Sequence, residues 1–156
     1  MPNSVKLKAY NEVNNEYVAA AAITPGQLVE LDGNGEVQPH SSAGQNALAM
    51  IAVEDYLQGK GIDEDYAADD QVQCWVPTKG DEAYMILADG ENVADGDFLE
   101  SDGNGNLQKH EADSAGAVEY PASIVGVALE DKDLSASSGA ESSALQGAQR
   151  IKIRIL

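Results

Sequence analysis

The sequence predicts an all-β protein built from two tandem copies of one small β-barrel or β-sandwich unit, a β-tulip-like arrangement with little helix. Three observations predict this class. The same residue pattern occurs twice, about 70 residues apart. Each copy places an Asp-Gly-Asn-Gly turn between alternating apolar and polar residues. No segment carries an apolar stripe of helical period over a dozen residues.

The duplication extends over most of the chain. His40 matches His110 at an offset of 70 residues, and the match resumes after a small insertion at an offset of 76. The matching segments are 25–40 with 95–110, 50–55 with 126–131, and 71–76 with 150–156. The predicted organisation is an extended N-terminal arm at 1–14, a first β repeat at 15–77, a connector at 78–81 and a second β repeat at 82–156.

The two turns have the composition of tight strand reversals. Glycine and asparagine tolerate the positive φ angles that two-residue hairpin connections require. The residues that form the predicted hairpin turns are Asp32, Gly33, Asn34 and Gly35 in the first copy and Asp102, Gly103, Asn104 and Gly105 in the second. The turns also resemble the opening of a calcium-binding loop, but Val37 and Leu107 stand where that loop requires glycine. No metal site is predicted.

The charge of the chain excludes one class of partner. With 27 acidic and 9 basic residues the formal net charge is −18, so nucleic acid is not an expected partner. Molar salt shortens the Debye length to about 3 Å and screens such self-repulsion, which makes a halophilic source our prediction and an ordinary acidic mesophilic protein the alternative. No apolar run approaches the roughly 20 residues of a membrane span, and residues 1–4 lack signal-peptide features, so synthesis in a cytoplasm is expected.

The sequence lacks the motifs of the common catalytic centres. It has no Gly-x-Ser-x-Gly elbow, no phosphate-binding glycine loop followed by lysine, and no pair of cysteines. Cys74 alternates with Val72 and Val76, as a small buried residue of a strand does. His40 and His110 lack neighbouring residues that zinc prefers, which suggests polar residues at strand ends. We therefore predict no catalytic residue, no cofactor and no enzyme activity.

Five of the nine basic residues lie in the two terminal strands. They alternate with apolar residues, so each strand has one apolar and one cationic face. If the termini meet, the cationic faces form a positive patch on an acidic body. The patch is either a docking surface for an acidic partner or a solvated edge that discourages aggregation. The candidate contact residues are Lys6, Lys8, Arg150, Lys152 and Arg154.

Two long loops and one or two helical turns at most complete the prediction. The acidic segment 58–70 and the Ser/Ala/Gly-rich segment 134–147 occupy the same place in the two repeats. The first is expected to be solvated, and the second has little apolar area to offset the entropy of ordering. The best helical candidates, 42–50 and 142–149, are short and rich in Ala and Gln.

The segment 95–99, followed by Ile-Val-Gly-Val-Ala-Leu-Glu-Asp at 124–131, resembles the small β-rich decoration or cement proteins on the capsids of tailed viruses. The first copy, at 50–55, is the weaker match. The resemblance implies a virion protein on the outer capsid surface, bound to the major capsid protein and stabilising an icosahedral shell, often as a homotrimer. Members of that family commonly carry one β unit, so the duplication departs from the pattern.

Read beside the acidity, the resemblance implies a virus of halophilic archaea. The expected arm, 1–14, is placed to add a strand to a neighbouring sheet edge. Deletion of residues 1–9 is expected to abolish capsid binding while leaving the β fold intact. The alternatives are another virion component built on tandem β units, such as a turret, a fibre base or a tail protein, and a halophilic ligand-binding β-barrel.

Overall fold

A computed structural model of the chain describes residues 2–10, 12–111, 120–137 and 149–156. Their regular structure is almost entirely β, which confirms the predicted fold class. The strands are β1 (Lys6–Lys8), β2 (Val13–Val18), β3 (Val29–Leu31), β4 (Val37–Pro39), β5 (Ile51–Ala52), β6 (Gln71–Val76), β7 (Glu82–Ile86), β8 (Asn92–Val93), β9 (Phe98–Ser101), β10 (Leu107–Lys109), β11 (Ile124–Ala128), β12 (Lys132–Asp133) and β13 (Arg150–Ile155). A 3-10 turn lies at Tyr56–Gln58. No helix among these residues is long and apolar enough to cross a membrane.

The strands of the two halves pair in the same order. We call residues 13–76 unit 1 and residues 82–155 unit 2. In unit 2 the order is β7-β13-β11-β9-β10, all antiparallel. In unit 1 it is β2-β6-β5, and the single bridge between Leu28 and Ile51 joins β5 to the β3-β4 hairpin. The sequence duplication is therefore also a duplication of strand topology, while the predicted domain boundaries stay a prediction.

Smaller contacts repeat as well. A parallel bridge joins Ala19 to Val37 in unit 1, and the same bridge joins Leu87 to Leu107 in unit 2. The bridge between Ile23 and Tyr66 occupies the place of the β8-β12 pair. The sheets remain open, so the tandem arrangement of β-barrels is not confirmed.

The two hairpin turns share one hydrogen-bond pattern. The Asp32 carboxylate accepts the amides of Asn34 at 2.7 Å and of Glu36 at 3.1 Å. Asp102 accepts the corresponding amides at 2.7 and 3.0 Å. An aspartate that binds its own backbone two residues on stabilises a local reversal. The Asn34 amide also lowers the pKa of the Asp32 carboxyl.

The N-terminal segment differs from the expected arm. β1 does add a strand to a sheet edge, but the sheet is that of unit 2 in the same chain, where β1 pairs with β7 and completes six strands. Val5 is fully buried, and its carbonyl accepts the Tyr84 amide at 2.8 Å. β2 begins at Val13, inside the range predicted for the arm. The segment is therefore part of the folded body.

Two apolar clusters form the core. One lies within unit 1 and contains Ala19, Ile23, Val29, Val37, Met50, Ala52, Tyr66, Val72 and Cys74. The other fills unit 2 and takes in five unit 1 residues, Leu28, Ile51, Val53, Ile62 and Trp75. The larger cluster thus binds the two units to each other.

The acidic loop at 58–70 is only partly solvated. Its carboxylates are mostly exposed, but Ile62 and Tyr66 are buried, and the Tyr66 hydroxyl donates to the Val53 carbonyl at 2.7 Å. The helix expected at 42–50 is absent, and this segment consists of turns and irregular backbone. Residues 142–148 of the second expected helix and most of the loop at 134–147 lie outside the described residues.

Candidate functional site

The terminal strands meet, as the predicted basic patch requires. β1 and β13 lie on either side of β7, and both place a cation against Glu82. The Arg154 guanidinium lies 2.8 Å and the Lys8 ammonium 3.1 Å from the same carboxylate oxygen. The hydrogen bond from Arg154, followed by that from Lys8, lowers the pKa of the Glu82 carboxyl. The centre of the patch is therefore two cations that share one carboxylate.

Two other candidates lie beside this centre in different environments. Lys152 is exposed, and its backbone amide is held by Glu130 at 2.9 Å. Lys6 is drawn inward, since its ammonium lies 5.5 Å from the centre of the Trp75 ring. The outward-facing part of the patch is thus Lys8, Lys152 and Arg154, which we call the basic patch.

Arg150 is not a surface contact, and its prediction as one is wrong. The residue is 1% exposed. Its guanidinium donates to the Pro25 carbonyl at 2.6 Å and to the Ile62 carbonyl at 2.7 Å, and Asp63 lies 3.7 Å away. Burial lowers the pKa of Arg150, and the Asp63 charge opposes this. Strand alternation correctly separates Arg150 from its apolar neighbours, but unit 1 covers the face it occupies.

The second hairpin turn lies inside the contact between the units. The Leu28 amide donates to the Gly105 carbonyl at 2.7 Å, and the Gly105 amide donates to the His40 carbonyl at 3.1 Å. A Cβ at Gly105 would lie 2.9 Å from the Cβ of Pro39, closer than side-chain carbons approach. At Gly35, the same position of the first turn, a Cβ would meet nothing within 4 Å. One motif therefore serves as an interface in unit 2 and remains open in unit 1.

The paired histidines differ in the same way. His40 is buried, and its Nδ1 lies 2.7 Å from the Ser101 hydroxyl across the unit boundary. His110 Nδ1 lies 2.6 Å from Glu100 within unit 2. Among the described residues, no group of three or more His, Cys, Asp or Glu could hold a metal ion. Cys74 is fully buried, and burial raises the pKa of its thiol to about 12.

An apolar cleft in unit 1 was not predicted from the sequence. It has a volume of about 300 Å³ and lies next to the open first turn. Its apolar lining is Tyr17, Val29, Leu31, Ala47, Leu48, Met50 and Val76. Leu31 and Leu48 remain more than half exposed. Alternation along β3 places Leu31 among the apolar residues of the strand. It cannot show that Leu31 is left uncovered by the rest of the described chain.

Comparisons with known proteins bear on the fold. No protein-family model matches the chain. No curated protein matches it. The structure is similar to the crystal structure of the N base of head fiber gp8.5 from bacteriophage phi29, with a TM-score of 0.56 and 13% sequence identity. The two share a fold. The match covers 94% of this chain and 95% of that chain, so the likeness spans both units.

Proposed function

We propose that the chain is a structural protein of a virus particle, without catalytic activity, that attaches to the outer surface of the head. The observation that carries the proposal is the fold likeness over 94% of the chain to the base of a phage head fibre. The resemblance of 95–99 and 124–131 to capsid decoration proteins supports it from the sequence.

The form of the molecule suits attachment to a shell. Hydrogen bonds and an apolar cluster hold the two units together as one body. A lattice offers many equivalent sites, so each copy need contribute only a few kcal/mol for the layer to stabilise the shell. The proposed partner is the major capsid protein. The net charge of −18 disfavours contact with the packaged nucleic acid.

Two roles on the head are open, and one observation favours each. Capsid decoration is favoured by the sequence resemblance, and it predicts copies at regular lattice points, with the homotrimer at three-fold positions as the preferred arrangement. A fibre base is favoured by the phi29 comparison, and it predicts fewer copies with further density extending outward from each. The acidic composition supports a halophilic source for either role.

The location of the chain tests the proposal. Particles are purified on a density gradient from cultures that carry the gene, and the chain is quantified against the major capsid protein by mass spectrometry. We expect it to co-purify at a fixed ratio, and cryo-electron microscopy should show it on the outside of the shell. Particles that lack it at every stage of purification would contradict the proposal.

The basic patch is tested by reattachment to particles stripped of the chain. The variant Lys8→Glu/Lys152→Glu reverses two exposed charges of the patch, and Lys60→Glu/Lys132→Glu makes the same change of charge elsewhere. If the patch contacts the capsid, only the first variant loses occupancy, and it loses more at low than at high ionic strength. Equal occupancy of both variants would remove the patch from the contact.

A further inference from the structure

Unit 1 packs against unit 2 through a face that unit 2 repeats. The residues on unit 1 are Leu28, Ile51, Val53 and Trp75, each 2% exposed or less. The strand register places Phe98, Val127, Leu129 and Arg154 at the same positions of unit 2. Phe98, Val127 and Leu129 are apolar, and none of the three is buried. Phe98 is 49% exposed. We call the two sets the donor faces.

The opposing face of the internal contact is also present twice. On unit 2 it contains Tyr84, Ile86, Ser101 and Arg150, all 5% exposed or less. The corresponding residues of unit 1 are Glu16, Val18, Leu31 and Gln71. None of the four is buried, and Leu31 is 51% exposed. We call these two sets the acceptor faces.

Each face is therefore used once within the chain and left open once. The open donor face is on unit 2 and the open acceptor face is on unit 1. We propose that a second copy of this chain occupies them, so that unit 2 of one molecule packs on unit 1 of the next in the way that unit 1 packs on unit 2 within the chain. The contact is heterologous, since it joins two different surfaces, and it therefore closes into a ring or continues as a filament.

The internal contact shows which hydrogen bonds the intermolecular one would form. Within the chain, the Leu28 amide donates to Gly105 and the Gly105 amide donates to His40. Between molecules, the Phe98 amide would donate to the Gly35 carbonyl of the next copy, and the Gly35 amide to the His110 carbonyl. Nothing lies within 4 Å of a Cβ built at Gly35, so the turn is accessible. The open faces also carry opposite charges, Arg154 on the donor and Glu16 on the acceptor.

This proposal specifies how the homo-oligomer proposed above is assembled. It concerns the protein in solution, so its failure and the failure of the virion assignment are separate results. The mass of the purified chain is measured by light scattering over a concentration series in about 1 M NaCl, where repulsion between the acidic copies is screened. The wild-type chain is expected to exceed the monomer mass of 16.4 kDa by a whole-number factor.

Two complementary variants test the heterologous geometry. Phe98→Asp damages only the open donor face, and Leu31→Asp damages only the open acceptor face. Each variant alone is expected to be monomeric, with association weakened at least tenfold. An equimolar mixture retains one intact pair of faces and is expected to stop at a dimer, which a contact between two identical faces would not produce.

Leu57→Asp is the matched control, because Leu57 is 65% exposed and lies outside both faces. It is expected to assemble like the wild type, and circular dichroism should show all three variants folded. A monomeric wild-type chain at every concentration and salt would overturn the proposal. So would an oligomer that forms as readily in Phe98→Asp and in Leu31→Asp as it does in the wild type.

Discussion

Arg150 joins the two units by donating from a buried guanidinium to two carbonyls of unit 1. Replacing it with alanine leaves both acceptors without their donor in a site that water does not fill easily. We expect Arg150→Ala to lower the free energy of unfolding by about 3 kcal/mol, within the range for breaking a buried charged contact. Urea denaturation followed by circular dichroism measures the loss.

Arg154 supplies the control on the same strand. Its side chain is 50% exposed, and it shares the Glu82 carboxylate with Lys8. Because exposed ion pairs contribute little, Arg154→Ala should change the free energy of unfolding by less than about 1 kcal/mol. Equal losses in the two variants would show that Arg150 contributes no more than a surface residue does.

Cys74 gives a chemical readout of the unit 1 core. Burial raises the pKa of its thiol to about 12, so the reactive thiolate is a very small fraction at pH 8. We expect a thiol reagent to leave the folded chain unmodified at pH 8 and to modify one thiol per chain in urea. Rapid modification without denaturant would place Cys74 at the surface.

Single residues show what strand alternation can and cannot predict. Cys74 was correctly predicted as buried, because its neighbours two positions away in either direction are valines. Arg150 was wrongly predicted as exposed, because alternation placed it on the same face as Lys152 and Arg154. Alternation fixes which residues share a face, but the partner that covers part of the face comes from a segment about 90 to 125 residues away in the chain.

At the scale of elements, β1 is an integral edge strand. Val5 is fully buried in the cluster that both units share, and truncating it to alanine removes two methyl groups from a packed site. We expect Val5→Ala to cost about 2 kcal/mol of unfolding free energy, measured by urea denaturation. Val13→Ala is the control, since Val13 is 49% exposed, and it should cost less than about 0.5 kcal/mol. Similar values for both would mean that β1 is not packed.

The duplicated turns allow a matched comparison of elements. Gly35 and Gly105 have φ angles of 88° and 81°, so alanine at either position carries the same backbone penalty of about 1 kcal/mol. At Gly105 the added methyl group also meets Pro39 and the Leu28 carbonyl. Gly105→Ala should therefore lose at least about 1 kcal/mol more than Gly35→Ala in urea denaturation. Equal losses would show that a methyl group at position 105 fits without meeting Pro39.

Elements with local signals were predictable, and those made by distant contacts were not. The β3-β4 and β9-β10 hairpins follow from Asp-Gly-Asn-Gly between alternating residues. The β8-β12 pair does not follow from the sequence, because each strand has only two residues. The two strands are about 40 residues apart in the chain and meet only when the protein has folded. The same reason applies to β1. Its alternating sequence could pair with any exposed strand edge, and the burial of Val5 determines that the partner is β7.

At the scale of the whole molecule, charge sets the response to salt. A net charge of −18 on a folded chain produces repulsion that unfolding relieves. Raising NaCl from about 0.01 M to about 1 M shortens the Debye length from about 30 Å to about 3 Å. We therefore expect the urea midpoint to rise across this series. A midpoint that falls with salt would mean that attractive surface pairs outweigh the repulsion.

The duplication let the sequence predict the number of units and, through the repeated segments, a common strand pattern. It could not predict how the units join, because the repeat shows which positions correspond but not which copy of each face is covered. The contact depends on differences such as Leu31 against Ser101, where one copy is exposed and the other is buried. Such asymmetry is a property of the assembled pair, which no local pattern contains.

β13 lies between β7 and β11 in the six-stranded sheet, yet it is the last strand of the fold in chain order. During synthesis on the ribosome, the apolar cluster within unit 1 is complete once Cys74 has emerged from the exit tunnel. The sheet of unit 2 has an empty central place until Arg150–Ile155 follow. A nascent chain paused before residue 150 would therefore expose the edges of β7 and β11, and chaperones would be expected to engage it at that stage.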